Sequence, residues 1–366
     1  MRRSSRRRAA AARPSWRLGL VSDPNRLFAA ADRLVADGRA IDALRLLTRA
    51  NRRRHDARIA QRIVELRFDA FGQAQWTSDL PSWPRNVPDL FPDAGIPEIA
   101  SEHLTAEWLR SAIVHHGSLI VRGFAKDRDV DRLIVDIDRA FAAYDAIAEQ
   151  RDPADLRGWF VPYTYDRTSD RPLKRASGCV LAVDSPPAMS DLVEVFERGG
   201  VGRLAQDYFG ERPAALAKKW SLRKVPRDAH TGDWHQDGAF MGVGVRSLNV
   251  WLTLTHCGDN APGLDVVGRR FDNVLPTGTE GAYFAWSVGP PVAQRAAAGS
   301  VVRPVFEAGD AMLFDHLCLH RTAVDPGMTH DRYAIESWFL APSTYGAMSA
   351  SGGQDYAPRD QIPIVY

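Results

Sequence analysis

The sequence GDAMLFDHLCLHRTAVDPGMTHDRYAIESWF, residues 309–339, indicates the fold of the larger part of the chain. Two extended runs flank Asp325–Gly327, whose composition is typical of a tight turn. Antiparallel pairing of these runs about Pro326 places His320 directly opposite Arg332, with both side chains on one face. We therefore expect an imidazole and a guanidinium to face one cavity, which suits an anionic co-substrate that binds a metal at one end and Arg332 at the other.

A second motif, WHQDG at residues 234–238, offers metal ligands. Residues i and i+2 of an extended strand project from the same face, so His235 and Asp237 can point at one ion together. A second imidazole completes a 2-His-1-carboxylate facial triad, which can bind one metal ion. The pairing register makes His320 the candidate for that third ligand.

His316 is the rival third ligand. It shares a face with His320 in a regular strand, but four residues span about 13 Å, so both cannot bind one ion. We favour His320 because the register connects it to Arg332. For His316 we expect a hydrogen-bonded place in the core or beside the ligands.

The segments around these motifs alternate short β-rich runs with turn residues from about residue 215 onward. The stretch Arg246–Thr255 alternates apolar residues with Asn249, Trp251 and Thr253, which indicates a strand with one apolar and one mixed face. Such a pattern is typical of an antiparallel sandwich or barrel. Residues 128–146 carry the clearest helical periodicity.

The chain divides into five segments by composition and periodicity. They are a disordered basic tail (1–22), a helical appendage (23–72), a Pro-rich linker (73–95), a main domain (96–345) and a C-terminal tail (346–366). The appendage resembles one tetratricopeptide-type hairpin followed by one helix, and a single such unit cannot bury its own faces. A cap packed on the main domain and a module that binds a protein partner are therefore the two alternatives, and we favour the cap.

Composition excludes several classes of protein. The 366 residues are 45% apolar, and we see no run long enough to span a membrane. The formal charge is +2, but seven arginines and no acidic residue fall in 1–22, which leaves −5 for the rest. A mildly acidic body argues against nucleic-acid binding. Three widely spaced cysteines form no disulfide framework, which favours the cytoplasm.

Residues from about 96 to 341 resemble the phytanoyl-CoA dioxygenase family of Fe(II)/2-oxoglutarate oxygenases. The resemblance lies in WHQDG (234–238), VWLTL (250–254), NAPGLDVV (260–267), GDAMLFDHLCLHRT (309–322) and RYAIESWF (332–339). It implies an α+β protein with a double-stranded β-helix (jelly-roll) core, flanking helices and the N-terminal helical appendage.

The resemblance also implies roles for single residues. His235, Asp237 and His320 are expected to bind iron, and Arg332 to hold the far carboxylate of 2-oxoglutarate with help from Thr322. Gln236 and Trp251 fall where family members contact the co-substrate. The implied reaction consumes dioxygen, converts 2-oxoglutarate to succinate and hydroxylates a substrate C–H bond. Because chloride would need the carboxylate position, Asp237 favours hydroxylation over halogenation.

The substrate is less well determined. Where many members have a Pro-Gly-Ser/Thr-His stretch, this chain has Gly268-Arg-Arg-Phe271, which affects the local loop. Lys218, Lys219, Arg223, Lys224 and Arg246 form a cationic group near the metal motif. We expect a small-molecule substrate, with recognition of an anionic group and solvated surface charge as alternatives for these cations. Trp159, Tyr163 and Tyr165 are candidates for the mouth of the site.

Two other functions stay open on the residues alone. The same ligands could hold zinc or another divalent ion in a cupin-like hydrolase or isomerase, although Arg332 then has no purpose. The chain could also be a catalytically silent oxygenase-fold adaptor whose N-terminal helices bind a partner. An intact triad argues against the adaptor.

Overall fold

The computed structural model describes residues 23–74, 86–163, 171–345 and 363–366. The basic tail predicted over 1–22 lies outside these residues, as do Tyr165, part of the predicted linker and most of the predicted C-terminal tail. Residues 86–95 of the linker contain turns and coil but no helix or strand. No helix of the described segments is long and apolar enough to cross a membrane.

The described residues contain ten α-helices and eleven strands. The helices are α1 (Pro24–Ala36), α2 (Ala40–Arg53), α3 (Ala57–Gln73), α4 (Ala106–His116), α5 (Asp127–Ala148), α6 (Arg171–Ala176), α7 (Pro186–Arg198), α8 (Val201–Phe209), α9 (Gly238–Met241) and α10 (Pro290–Ala297). The strands are β1 (Glu98–Ala100), β2 (Ser118–Arg122), β3 (Cys179–Leu181), β4 (Ala214–Val225), β5 (Ser247–Thr253), β6 (Gly263–Val267), β7 (Val301–Val302), β8 (Ala311–Phe314), β9 (His320–Ala323), β10 (Arg332–Leu340) and β11 (Pro363–Val365).

The N-terminal helices form where apolar periodicity predicts them. Asp23 and Asp56 cap α1 and α3, because their carboxylates accept hydrogen bonds from free backbone N–H groups of the first turn. The apolar stripes of these helices meet in a cluster that includes Leu47 and Leu66. The helix predicted over 128–146 is confirmed as α5.

Two sheets form the centre of the larger part. The large sheet has eight strands in the order β1-β2-β8-β5-β10-β4-β11, with β3 also paired to β4, and only β1 and β2 run parallel. The small sheet has the antiparallel order β7-β6-β9. One apolar cluster joins Trp251, Phe314 and Trp338 of the large sheet to Leu264 and Val266 of the small sheet. A core therefore lies between the two sheets, in a fold of mixed helices and sheets.

The hairpin predicted about Pro326 is wrong. β9 pairs with β6, and β10 lies between β4 and β5, so His320 is opposite Val266 rather than Arg332. Since β4 and β5 already occupy both edges of β10, the predicted turn instead carries the chain from the small sheet to the large one. The side chains of His320 and Arg332 still face the space between the sheets. His320 is paired with Val266, the guanidinium of Arg332 lies over the ring of Trp251, and both neighbours belong to the shared apolar cluster.

Residues 363–366 are the described end of the predicted C-terminal tail, and they contain a strand. Pro363–Val365 form β11, which pairs antiparallel with β4 and covers an edge of the large sheet. The Arg67 guanidinium of α3 donates a hydrogen bond to the carbonyl oxygen of Val365 at 2.8 Å. Val365 also belongs to the apolar cluster of the N-terminal helices, so β11 connects those helices to the sheet.

Candidate metal centre

Residues 232–238 run antiparallel to the segment that contains β9. The backbone amides and carbonyls of His235 and His320 hydrogen-bond in both directions, at 3.0 and 3.1 Å. The amide of Gly238 donates to the carbonyl oxygen of His316 at 2.7 Å. A Cβ atom at Gly238 would lie 3.2 Å from that oxygen and 2.8 Å from a valine methyl group, so glycine allows the close approach. This pairing joins the two motifs that are far apart in sequence.

The pairing brings together His235, Asp237 and His320, the three predicted ligands. One ligand atom from each lies within 4.8 Å of the others. The centroids of the two imidazole rings are 4.4 Å apart, and Nε2 of His320 is 3.8 Å from Oδ2 of Asp237. Asp237 and His320 are buried and His235 is half-buried. His320 is paired with Val266 of the cluster between the sheets, which places the group at that space.

Backbone contacts fix the tautomer of both imidazoles. Nδ1 of His235 is 2.9 Å from the carbonyl oxygen of Asp233, and Nδ1 of His320 is 3.1 Å from that of Cys318. A carbonyl oxygen can only accept, so each Nδ1 carries a proton, and Nε2 is the nitrogen that has the lone pair in the neutral form of each ring. Burial, reinforced by the neighbouring His235, lowers the pKa of His320 to about 4. The imidazole of His320 is therefore neutral near pH 7.

Lys219 on β4 holds the carboxylate of Asp237. Its Nζ donates to Oδ1 at 2.9 Å and lies 3.7 Å from the centroid of the Phe240 ring. Burial opposes ionisation of Asp237, but Lys219 and the two imidazoles keep its pKa below the ordinary value. Asp237 is thus a carboxylate whose other oxygen, Oδ2, faces His320.

His316 lies outside the ligand group, as expected. Its Nδ1 is 2.9 Å from the Ser247 hydroxyl, and its Nε2 is 3.3 Å from the carbonyl oxygen of Val243. Burial lowers the pKa of His316. Both ring nitrogens are engaged, so His316 packs the loop before β5 against the segment before β9.

Arg332 is fully buried, and only part of its guanidinium group makes hydrogen bonds. Its Nη1 donates to the carbonyl oxygens of Pro262 and Gly263 at 3.2 and 2.8 Å. Among the described residues, its Nε and Nη2 have no hydrogen-bond partner, and neither does Nε1 of Trp251, whose ring centroid lies 5.5 Å from Cζ of Arg332. Burial lowers the pKa of Arg332 to about 10, so it stays a cation at neutral pH. Unpaired buried donors are costly unless a ligand accepts from them.

Thr322 follows His320 by two residues on β9 and therefore lies on the same face. Its cross-strand neighbour is Leu264, which belongs to the apolar cluster between the sheets. Thr322 is half-buried. Its side chain is thus positioned on the interior face that also carries the imidazole of His320.

Gln236 is placed differently from what the resemblance implies. Its side-chain amide donates to the carbonyl oxygens of Asn273 and Leu317 at 3.2 and 2.7 Å, and its oxygen accepts from the amide of Leu275 at 2.7 Å. Both N–H donors of the Gln236 side chain therefore hydrogen-bond to backbone carbonyl oxygens. This placement corrects the expected contact with the co-substrate: Gln236 lies on the opposite face and fixes the loop after β6.

The predicted cationic group divides between two faces of the large sheet. Lys219 and Arg223 face the interior, where Nη1 of Arg223 is 3.6 Å from Oε1 of Glu336 on β10. Lys224 points to the other face and donates to Asp138 of α5 at 2.8 Å. Only part of the group can therefore contact a substrate at the metal centre.

The aromatic residues predicted at the mouth pack elsewhere where they are described. The ring of Tyr163 stacks on Phe68 of α3, with centroids 4.0 Å apart and planes 7° apart. The guanidinium of Arg139 lies 5.0 Å from the centroid of the Trp159 ring. Tyr163 and Trp159 therefore belong to packing between helices and loops.

Sequence reasoning missed the aromatic residues that do lie beside the ligands. The Trp286 ring meets His235 edge-on at 5.5 Å and Phe240 at 5.9 Å between centroids. The only signal for them is the run Tyr283-Phe284-Ala285-Trp286 in a turn-rich segment. Two of these rings are unusually exposed, Tyr283 at 81% and Phe284 at 40%.

Comparison with protein families gives one match. Residues 113–324, more than half of the chain, match the family described as Phytanoyl-CoA dioxygenase (PhyH). The matched range contains His235, Asp237 and His320 and ends before Arg332. A search of curated proteins gave no match.

Several solved structures are similar at low identity. EvdO2 from Micromonospora carbonacea var. aurantiaca, complexed with 2-oxoglutarate, is 18% identical over 65% of this chain and 90% of its own, with a TM-score of 0.40. EctD from S. alaskensis, with 2-oxoglutarate and 5-hydroxyectoine, is 16% identical over 64% and 75%, with a TM-score of 0.43. The carbocyclase SnoK from nogalamycin biosynthesis is 14% identical over 67% and 86%, with a TM-score of 0.44.

Proposed function

The chain belongs to the phytanoyl-CoA dioxygenase family, and from this premise we propose that it is a non-haem Fe(II)/2-oxoglutarate-dependent dioxygenase. The proposed reaction hydroxylates a C–H bond of a small-molecule or acyl-type substrate. We propose a double-stranded β-helix for the two sheets and, because all three cysteines are buried free thiols, a reducing compartment such as the cytoplasm.

The donor set fits ferrous iron. Two imidazoles and one carboxylate are the 2-His-1-carboxylate ligands of non-haem iron oxygenases, and the Nδ1 atom of each imidazole is already engaged by a backbone carbonyl oxygen. His235, Asp237 and His320 would hold the metal and leave positions open for other ligands. Lys219 holds Oδ1 of Asp237, so the carboxylate would offer Oδ2 to the ion.

The observation that carries the proposal is Arg332. Among the residues that the structure describes, this buried guanidinium has two unpaired donor groups and lies beside an unpaired indole N–H, so an acceptor is needed there. A carboxylate can accept two parallel hydrogen bonds from a guanidinium, which suits the far end of 2-oxoglutarate. A hydrolase or isomerase that uses the same metal ligands has no use for this buried cation.

Bound iron with 2-oxoglutarate and dioxygen would supply the oxidation, in which the keto acid becomes succinate and carbon dioxide while a substrate C–H bond is hydroxylated. The residues of the chain supply position. Arg332 and Thr322 orient the co-substrate, and Trp251 covers the guanidinium and excludes water. Lys219 and Arg223 would attract an anionic group of a substrate that enters the same space.

Succinate formation tests the proposed reaction. The chain is incubated with Fe(II), 2-oxoglutarate and air, and succinate is measured against metal-free and co-substrate-free controls. We expect succinate only when both are present, and less of it with Arg332→Gln. Metal-dependent hydrolysis without 2-oxoglutarate would favour the cupin-like alternative, and iron binding without succinate would favour a silent adaptor.

A further inference from the structure

The aromatic run beside the metal centre forms a continuous surface that leads outward from a ligand. The rings of Phe284 and Trp286 are stacked, with centroids 4.9 Å and planes 7° apart, and Tyr283 meets Phe284 at 4.7 Å and 82°. Trp286 in turn contacts His235 edge-on. We call Tyr283, Phe284 and Trp286 the aromatic lip.

The backbone of the aromatic lip is held to the segment that carries His235 and Asp237. Oδ2 of Asp233, two residues before His235, accepts from the amide of Tyr283 at 2.9 Å and from the hydroxyl of Ser287 at 2.7 Å. The amide of Val288 donates to the carbonyl oxygen of Trp234 at 2.7 Å. The exposed rings are therefore positioned before any ligand arrives, which lowers the entropic cost of binding.

Exposed rings on a fixed backbone indicate a ligand with a large apolar surface. Burying Tyr283 and Phe284 in a complex removes apolar area from water, which is favourable. The lip presents rings in two perpendicular orientations, so a flat ring can stack on one of them and meet another edge-on. A saturated ring or chain gains the apolar burial but not the ring–ring geometry.

We propose that the aromatic lip binds a flat aromatic or unsaturated ring of the substrate and so presents a neighbouring C–H bond to the metal centre. The second half of this statement rests on the proposed function. The lip itself requires no metal, so the substrate class can be tested on metal-free protein, and the result is independent of iron chemistry.

The test compares two neutral alcohols with the same carbon skeleton. Naphthalene-2-methanol is flat, and decahydronaphthalene-2-methanol is saturated and puckered; neither is attracted to Arg332 by charge. Calorimetry on the full chain without metal should show the flat probe bound roughly tenfold more tightly. Equal affinities, or no detectable binding of the flat probe, would overturn the proposal.

Matched variants locate the binding. Phe284→Leu and Tyr283→Leu keep an apolar side chain at exposed positions and should weaken the flat probe by roughly fivefold to tenfold without affecting the saturated one. Trp108→Leu, at a 36% exposed aromatic on α4, is the control and should change neither affinity. An equal loss in the control would contradict the assignment.

Proximity to the metal is measured separately. Mn(II) bound at the triad should broaden the proton resonances of naphthalene-2-methanol, and unbroadened resonances would overturn the placement beside His235. If the flat probe is preferred but Fe(II) and 2-oxoglutarate do not bind, the proposed function fails while the lip stands. If iron and the co-substrate bind but the two probes have equal affinities, the proposed role of the aromatic lip fails and the proposed function stands.

Discussion

Two groups of side chains in the described part of the chain bring histidine and carboxylate ligand atoms within 4.8 Å of one another. One is the triad of the metal centre. The other, the junction cluster, consists of His55, Asp191 and Glu194, where the turn between α2 and α3 meets α7. They contain the same types of ligand, yet only the triad has the properties of a metal site.

The difference lies in what already occupies the ligand atoms. In the junction cluster, Arg132 of α5 donates to Oδ2 of Asp191 at 2.7 Å and lies 3.9 Å from Glu194, so a guanidinium takes the place of an ion. The side chain of His55 is 55% exposed. In the triad, backbone carbonyl oxygens engage Nδ1 of both imidazoles, which leaves each Nε2 available for an ion. Proximity of ligand types therefore does not define a site, because the ligand atoms must also be available.

The largest expected difference between the two groups is the effect on iron binding when one imidazole is removed from each. His320→Ala leaves one imidazole and one carboxylate, too few to hold iron tightly, so we expect stoichiometric Fe(II) binding to be lost. His55→Ala should leave one iron per chain. Metal content after anaerobic reconstitution and gel filtration measures both. Retained iron in His320→Ala, or lost iron in His55→Ala, would reverse the assignment of the two groups.

The next largest effect is expected on 2-oxoglutarate binding, measured separately from Fe(II) binding. Arg332→Gln removes the buried cation and should weaken 2-oxoglutarate binding by at least about 2 kcal/mol, roughly 30-fold, while Fe(II) affinity stays unchanged. Arg332→Lys keeps the charge but loses the planar fork, so we expect an intermediate value. Equilibrium titration gives both constants. Unchanged co-substrate affinity in Arg332→Gln would reject the role of this residue.

Asp136 of α5, which neighbours Asp191 of the junction cluster, should make the stability of the chain depend on pH. Burial, with repulsion from Asp191, raises the pKa of Asp136 to about 8, whereas an unfolded aspartate titrates near 3.9. Between these values the folded chain holds a proton that the unfolded chain has lost. The free energy of unfolding therefore falls as pH rises, by up to about 1.4 kcal/mol per pH unit.

Asp136→Asn should remove this component, because an amide cannot ionise. Urea unfolding at about pH 5, 6, 7 and 8 measures it, and Asp131→Asn, at an exposed position on α5, is the control. The same pH slope in the wild type and Asp136→Asn would show that Asp136 is ionised throughout.

The smallest effect on metal binding is expected for His316. His316→Ala removes contacts to Ser247 and Val243 but no ligand, so iron should remain at one per chain while stability decreases by about 1–3 kcal/mol. Iron content and the urea midpoint are measured on the same preparation. An iron loss equal to that of His320→Ala would make His316 a ligand.

The sequence predicted structural features that depend only on residues close to one another along the chain. The spacing of His235 and Asp237 predicted that they lie together, and they do, although Asp237 has helical backbone angles rather than the extended ones expected. The side chain of Gln236 between them hydrogen-bonds to the backbone instead. Helical periodicity gave α5 within two residues at each end. These features require no knowledge of how distant segments meet.

The pairing of strands that are far apart along the chain could not be predicted from the sequence. His320 was favoured through a hairpin with Arg332 that does not form; what positions it is the backbone bridge to His235. The turn residues about Pro326 do not specify whether the two flanking strands pair with each other or with other strands. Likewise, nothing in the composition of Pro363–Val365 distinguishes a tail from a strand that covers β4.

One measurement addresses the central claim without knowledge of the substrate. The chain is titrated anaerobically with Fe(II) in the presence of 2-oxoglutarate, and the visible charge-transfer absorption of the iron–keto-acid complex is followed. We expect a band that saturates at one iron per chain and requires 2-oxoglutarate. Absence of the band, or a band of equal amplitude in Asp237→Ala, would contradict it.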